Sequence, residues 1–403
     1  MKNLRTLYRF ELKKLLSRKI VWITVAAMLV LAGFTVCGRL LGGYYVDGER
    51  LDSNCGIFQK TRAAQRALSG RGIDQQLLKE TWDAYGKIPT DAEVPYVGTE
   101  EYWEYAFPYS AVFNFVRATT GMTVSAAMDW KADEADLYRK RQDMLENYWD
   151  GYYLSEGEKE YWRQQEFSVE KPITYAYNEG WERLFVVFYT LGLMAQLTIA
   201  ICLSNVFTIE QSRKTDQLIL CSRNGKGTLY LAKLFAGIGF AAGISLLYTI
   251  AVFALSLAIL GGEGFGAALQ LIYPDCSLPL SVGQAVLMAY GLMLIASILT
   301  GIFTMVLSEI LRNGIGTLSV IGGIILLSMF VNIPYHYRVL AQIWDYLPCS
   351  YLTIWNVLDC RLVPFFGTYL NGMQFVPILY LVTAGILWLA GYKIYQAYQV
   401  RAR

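Results

Sequence analysis

The sequence predicts an all-α membrane protein: six transmembrane helices, an N-terminal amphipathic interfacial helix, and a large, mainly helical extracytoplasmic domain between helices 1 and 2. Three observations lead there. The 403 residues are 55% hydrophobic and only 17% charged, more apolar and less charged than a soluble chain needs. The surplus is gathered into runs of about 20 residues, the length that crosses a bilayer. The net charge of +2 divides into unlike halves: about 24 acidic against about 15 basic residues lie between Asp47 and Glu179, so that block carries roughly −9 and the remainder roughly +11.

Taken in order, residues 1–19 form a cytoplasmic amphipathic helix. Leu4, Leu7, Tyr8, Leu12, Leu15 and Leu16 share one face and basic residues the other, a pattern that lies on the inner leaflet. The spans follow at 20–41, 182–207, 229–260, 282–307, 314–333 and 375–396, the third long enough to require tilt. Lys2, Arg5, Arg9, Lys13, Lys14, Arg18 and Lys19 precede the first span, Arg213, Lys214, Arg223 and Lys226 follow the second, and Lys393, Arg401 and Arg403 follow the last. The loop 261–281 has no Lys or Arg. Positive charge stays inside, so both termini are cytoplasmic in a multi-pass protein of the cell membrane. The domain 42–181 and the region 334–374 then lie outside, and 182–403 carries helices 2–6. A cleaved signal peptide fits poorly, because the basic region is long and no processing site surrounds Cys37.

Within 42–181 helix formers fill 58–85, 129–149 is charged and aromatic without Gly or Pro, and Ser155 with Glu158 has the spacing of a capping box opening a helix to about 167. Trp103, Trp130, Trp149 and Trp162, with many Tyr, read as the core of a small helical domain plus an interfacial belt, or as a surface for an amphipathic ligand.

Known chemistries find little footing. Asn224-Gly225-Lys226-Gly227-Thr228 lacks the glycine and the Ser/Thr of a phosphate loop, and Gly261–Gly266 lacks the spacing of a dinucleotide fingerprint. The single histidine, His336, and the absence of a GxSxG elbow argue against hydrolysis. One histidine and seven unpaired-looking cysteines argue against zinc. Cys276, Cys349 and Cys360 all fall outside, which allows a disulfide among them, Cys349–Cys360 being one such pairing. Basic residues scattered at span ends exclude nucleic acid as a partner. The middles of the spans hold no Asp, Glu, Lys, Arg or His, and Arg39, Glu182, Arg183 and Lys233 sit near ends where they can snorkel. An ion-driven carrier usually needs such residues, so any transport draws its energy from another subunit.

What remains is the inner loop 204–234. It carries Glu210, Arg213, Lys214 and Asp216, then an apolar patch at Leu218, Ile219 and Leu220, a turn at Ser222–Gly225, and Lys233 entering the next span. An exposed apolar patch on a short segment suggests docking. The chain resembles the type-2 ABC exporter permeases, whose coupling helix between spans two and three runs Glu, then Thr, then Leu-Leu, a Ser-Arg turn and a Lys. The matching residues are Glu210, Thr215, Leu218, Leu220, Ser222, Arg223, Leu229 and Lys233, with Arg213 in the same stretch. The usual Pro of the turn is absent, and Cys221 stands where smaller residues are commoner. The resemblance covers the membrane portion and not 42–181. It implies a permease that pairs with itself or a sister, docks two copies of an ABC ATPase subunit through the coupling segment 208–228, and binds no cofactor itself, ATP and magnesium residing on the partner. It also implies partly re-entrant helices in 334–374. The apolar spans suit an amphipathic cargo such as a lipid, peptide or drug-like molecule. Two other readings of the residues stand beside it: a membrane-anchored sensor or assembly factor with an external binding domain, and a membrane enzyme acting on lipid-linked substrates through external carboxylates.

Overall fold

The computed structural model describes residues 2–46, 48–89, 96–212, 215, 225 and 227–397. Helix α1 (Lys2–Leu16) leads directly into α2 (Lys19–Cys37). A hairpin of β1 (Gly43–Val46) and β2 (Glu49–Ser53) then opens the large lobe. The lobe continues through α3 (Asn54–Leu68), α4 (Gln75–Tyr85), α5 (Ser110–Thr120), α6 (Val124–Met128), α7 (Glu134–Gly151) and α8 (Glu156–Phe167). The membrane-type helices resume with α9 (Glu179–Leu203), the short α10 (Thr208–Ser212), α11 (Gly227–Leu260), α12 (Val282–Leu311) and α13 (Gly314–Phe330). Two short helices, α14 (Arg338–Asp345) and α15 (Ile354–Val357), and a hairpin of β3 (Val363–Phe365) and β4 (Thr368–Leu370) precede α16 (Gly372–Ala397).

Among the described residues, five helical stretches are long and apolar enough to cross a membrane: Lys19–Leu40, Glu179–Glu210, Gly227–Leu260, Val282–Leu311 and Gly372–Ala397. The sixth expected span is shorter than the sequence suggests. Helix α13 has 17 residues, about 25 Å at the α-helical rise, against a hydrocarbon core of about 30 Å. Its start is set by a break after α12, where Arg312 takes a left-handed backbone (φ 53) and Asn313 caps the new helix by accepting from the Ile315 and Gly316 N–H groups.

Helix α9 occupies the centre of the bundle, flanked by α2, α11 and α12, and α12 also packs on α16 and α13. Close approach needs small residues. Gly237 in α11 is one such point, since a Cβ there would stand 2.2 Å from the Met305 sulfur, and Gly239 faces the Tyr8 hydroxyl of α1; Gly243, by contrast, faces open space. Hydrogen bonds between helices join the apolar contacts: Tyr290 donates to the Leu184 carbonyl at 3.0 Å and Ser256 to the Gly180 carbonyl at 2.8 Å. Large apolar side chains such as Val30, Phe34, Leu327, Phe330, Leu381 and Ile386 face outward, as lipid-facing residues do. Helix α1 lies along α11. Its apolar face is therefore spent on protein, with Leu15 buried and Tyr8 and Leu12 against the core, rather than on a leaflet alone.

The lobe is mainly helical, with two departures from the sequence expectation. The β1–β2 hairpin was not foreseen, and the helix expected over 58–85 is two helices. Gly70 (φ 88) breaks it, and the Asp74 carboxylate restarts it by accepting from the Leu77 N–H at 2.9 Å. Helix α7 takes up most of the 129–149 expectation, starting later, at Glu134, where Asp133 caps it. The Ser155/Glu158 box opens α8, with Glu158 accepting from the Ser155 N–H at 2.9 Å and its hydroxyl at 2.8 Å. Most of the aromatics serve as core: Tyr85 stacks on Phe113, and Trp149 and Trp162 are buried in the same cluster as the bundle helices. Tyr153 remains exposed.

Candidate functional site

The resemblance residues that fall among the described ones converge at the end of the bundle where α1 lies. Lys233 sits on the second turn of α11 and is fully buried. Its Nζ donates to Glu210 Oε1 at 2.7 Å, to Glu11 Oε2 at 3.1 Å and to the Val206 carbonyl at 3.4 Å, with the Phe207 ring 5.8 Å away. Lys14 Nζ reaches the same Glu210 oxygen at 2.8 Å and lies 3.7 Å from Glu11. Two lysines and two glutamates thus alternate in a knot with no net charge. Such a group tolerates burial only because each charge meets an opposite one and its hydrogen-bonding capacity is used. The expectation that Lys233 snorkels is overturned: the chain returning through Val206–Glu210 and helix α1 close over it.

Two described residues between α10 and α11, Thr215 and Gly225, are each hydrogen-bonded. The Thr215 N–H and hydroxyl both donate to the Glu210 carbonyl, at 2.9 and 3.2 Å. Tyr395 of α16 donates to the Gly225 carbonyl at 3.2 Å, and Tyr230 donates to the Trp388 carbonyl at 3.2 Å. Phe207, Tyr230 and Tyr395 pack against one another in tilted and edge-on contacts. Glu210, Thr215 and Lys233 are brought together, and Leu229 is buried in the first turn of α11. Arg213, Leu218, Leu220, Ser222 and Arg223 lie outside the described residues. Glu11 was missed by sequence reasoning. Its signal was its isolation, since it is the one acidic residue between Met1 and Val46 on an otherwise basic helix.

A second feature lies within the bundle. An apolar cavity of about 210 Å³ opens between α9, α12, α13 and α16. Phe303, Ile321, Ile325 and Leu387 line it, and Gln196 supplies one polar edge, its amide donating to the Pro348 carbonyl at 2.8 Å.

At the opposite end the lobe is tied to the 334–374 region, which holds α14 and α15. The Arg338 guanidinium pairs with Glu158 through both nitrogens, one of them at 2.8 Å, and Trp162 donates to the Cys360 carbonyl at 2.6 Å. Burial opposes ionisation of Glu158, yet Arg338 and Ser155 outweigh it and hold the carboxyl below its ordinary value. Arg361, also buried, pairs with Asp359 at 2.5 Å and Asp345 at 2.6 Å. Burial works against its charge, but the two carboxylates hold its pKa above the ordinary value. Cys276, Cys349 and Cys360 are all free and buried, so the Cys349–Cys360 bridge is not present. Burial pushes the Cys276 thiol up to about 12 and raises Cys360 as well, which keeps both as unreactive thiols. Among the described residues no group of His, Cys, Asp and Glu is arranged to hold a metal.

Compared with protein-family models, with curated proteins and with solved structures, the chain matches none.

Proposed function

We propose that this chain is the permease subunit of an ATP-driven exporter of the ABC type. In this reading it crosses the cell membrane six times with both termini in the cytoplasm, α13 being the short crossing, and carries the 42–181 domain outside. One observation carries the reading: Glu210 and Lys233, two residues of the coupling-helix pattern, meet in one buried knot, and Thr215, a third, bonds to the Glu210 carbonyl beside it, at the base of the segment that the pattern assigns to ATPase docking. A lever must be stiff where it joins the parts it moves. The knot fastens the start of this segment to α1 and α11, and Tyr395 fastens its finish to α16, so a push on 208–228 by a closing ATPase dimer is passed to three helices together. ATP and magnesium belong to the partner ATPase, two copies of which serve a pair of permeases. The apolar cavity beside Gln196 favours an amphipathic cargo, because such a pocket gains by burying hydrocarbon.

The test is a charge on the docking patch. Leu218→Asp or Leu220→Asp should abolish ATP-dependent export and the stimulation of ATPase turnover while leaving membrane insertion unchanged. Normal export by these variants, or purification in mild detergent without any associated ATPase, would remove the reading.

A further inference from the structure

A groove of about 460 Å³ runs between the end of the lobe and the loop that joins α11 to α12, lined by 168–176 on one side and by 266–270 with 279–281 on the other. The first wall is an extended strand in all but name. Its residues 173 and 175 are paired inward: the Ile73 N–H donates to the Ile173 carbonyl at 2.9 Å, the Tyr175 N–H to the Arg71 carbonyl at 2.8 Å, and the Gly70 N–H to the Tyr175 carbonyl at 2.8 Å. Gly72 and Thr174 form the antiparallel bridge between these bonds. In an antiparallel ladder the residues of such a bridge direct their own N–H and C=O away from the partner. The N–H and C=O of Thr174 are therefore turned toward the groove, with no backbone partner among the described residues. The second wall repeats the arrangement. Leu269 and Ala267 bond to Leu280 and Val282 at 3.1 and 2.8 Å around an Ala268–Ser281 bridge, leaving the Ala268 N–H on the groove side.

We infer that this groove binds an extended, basic peptide segment, which adds as a strand to the Thr174 edge. The inference goes beyond the transport reading and does not rest on it. An unpaired backbone edge in a groove is satisfied by another extended backbone, and the partly exposed Ala176, Pro279 and Leu280 on its walls take alternate apolar side chains. The charge preference follows from the rim. Of the two charged residues beside the groove, Lys171 is paired with Glu166 at 2.9 Å, whereas Glu170 is exposed and bonded to no described residue. The surrounding lobe is itself acidic, by roughly nine charges.

The experiment uses the full-length protein in detergent and a fluorescent capped peptide alternating Lys and Val over eight residues. Saturable binding is expected, weakened about tenfold or more when alternate peptide nitrogens are methylated, since each lost backbone bond is worth close to a decade in affinity. Gly266→Trp should abolish binding: Gly266 borders the groove, and a Cβ there meets only open space, so the new side chain starts from an unobstructed position at the groove's edge. Thr174→Pro removes the free N–H without breaking any existing bond and should match the methylated peptide, whereas Thr174→Val should bind normally. Glu170→Lys should reverse the preference to a Glu/Val peptide. No saturable binding, binding indifferent to N-methylation, or full binding by Gly266→Trp would each overturn the inference.

Discussion

The two ends of the helical bundle both bury ion pairs, but they do so differently. At the α1 end, Lys233, Glu210, Glu11 and Lys14 come from three stretches of the chain and leave no fully buried polar atom of the knot without a partner. At the lobe end, Arg361 draws much of its support from Asp359, two residues away, and its Nη1 is buried without a partner. The fully satisfied knot ties separate elements into one body. The looser cluster orders its own loop and leaves the tie between lobe and bundle to Arg338, Glu158 and Trp162. A joint that transmits force suits the first design, and an attachment that holds a separate domain suits the second.

Breaking the α1-end knot should have the larger effect. Lys233→Met leaves Glu210 and Glu11 buried with only Lys14 to share, and should lower stability by about 3–5 kcal/mol, read as the thermal unfolding midpoint in detergent. The double variant Lys233→Met, Glu210→Leu restores charge balance, with Glu11 and Lys14 remaining, and should recover much of that loss. A Lys233→Met protein within about 1 kcal/mol of the parent would mean that the knot does not tie these helices.

The lobe tie should be weaker and should reveal itself through pH. Glu158→Gln removes the charge from a buried pair with Arg338 and should lower stability by about 1.5–3 kcal/mol. Because the Glu158 carboxyl is held below its ordinary value of 4.5, its contribution is complete above that pH and is lost as pH falls through the lowered value. The parent should therefore lose stability on acidification below 4.5 more steeply than Glu158→Gln. Parallel pH profiles would remove Glu158 from the tie. Smallest of all is the surface pair of Arg163 with Glu146, at 2.8 and 2.9 Å with both side chains about a third exposed. Glu146→Gln should change stability by less than about 1 kcal/mol, and by less still at high salt. A larger effect would show that exposed pairs matter here as much as buried ones.

Local signals made much of this architecture legible. Four of the expected spans coincide with long apolar helices to within a few residues, and α2 ends in a single 3-10 turn near its expected limit. Hydrocarbon length is written directly in a run of apolar residues. Caps are local too, so Ser155 with Glu158 announced α8 and the Gly-free run announced α7. The shortening of α13 was less visible, because the mostly apolar run expected as the span, 314–333, continues past Phe330 while the α-helix itself stops there. The break in 58–85 depended on Gly70 adopting a left-handed backbone that lets the chain pair with 173–175, a contact about a hundred residues distant.

By itself, then, the sequence determined which segments are apolar helices and that the chain's charge divides into an acidic block and a basic remainder. Tertiary structure alone decided that Lys233 is buried and paired rather than snorkelling, that Glu11 is its second partner, that Glu158 serves the lobe tie as well as its own helix cap, and that Thr174 turns a free edge into a groove. The division has one physical cause. Hydrophobic length and capping are set by residues within a few positions of each other, whereas the worth of a charge or an unpaired backbone group is set by what packing brings next to it.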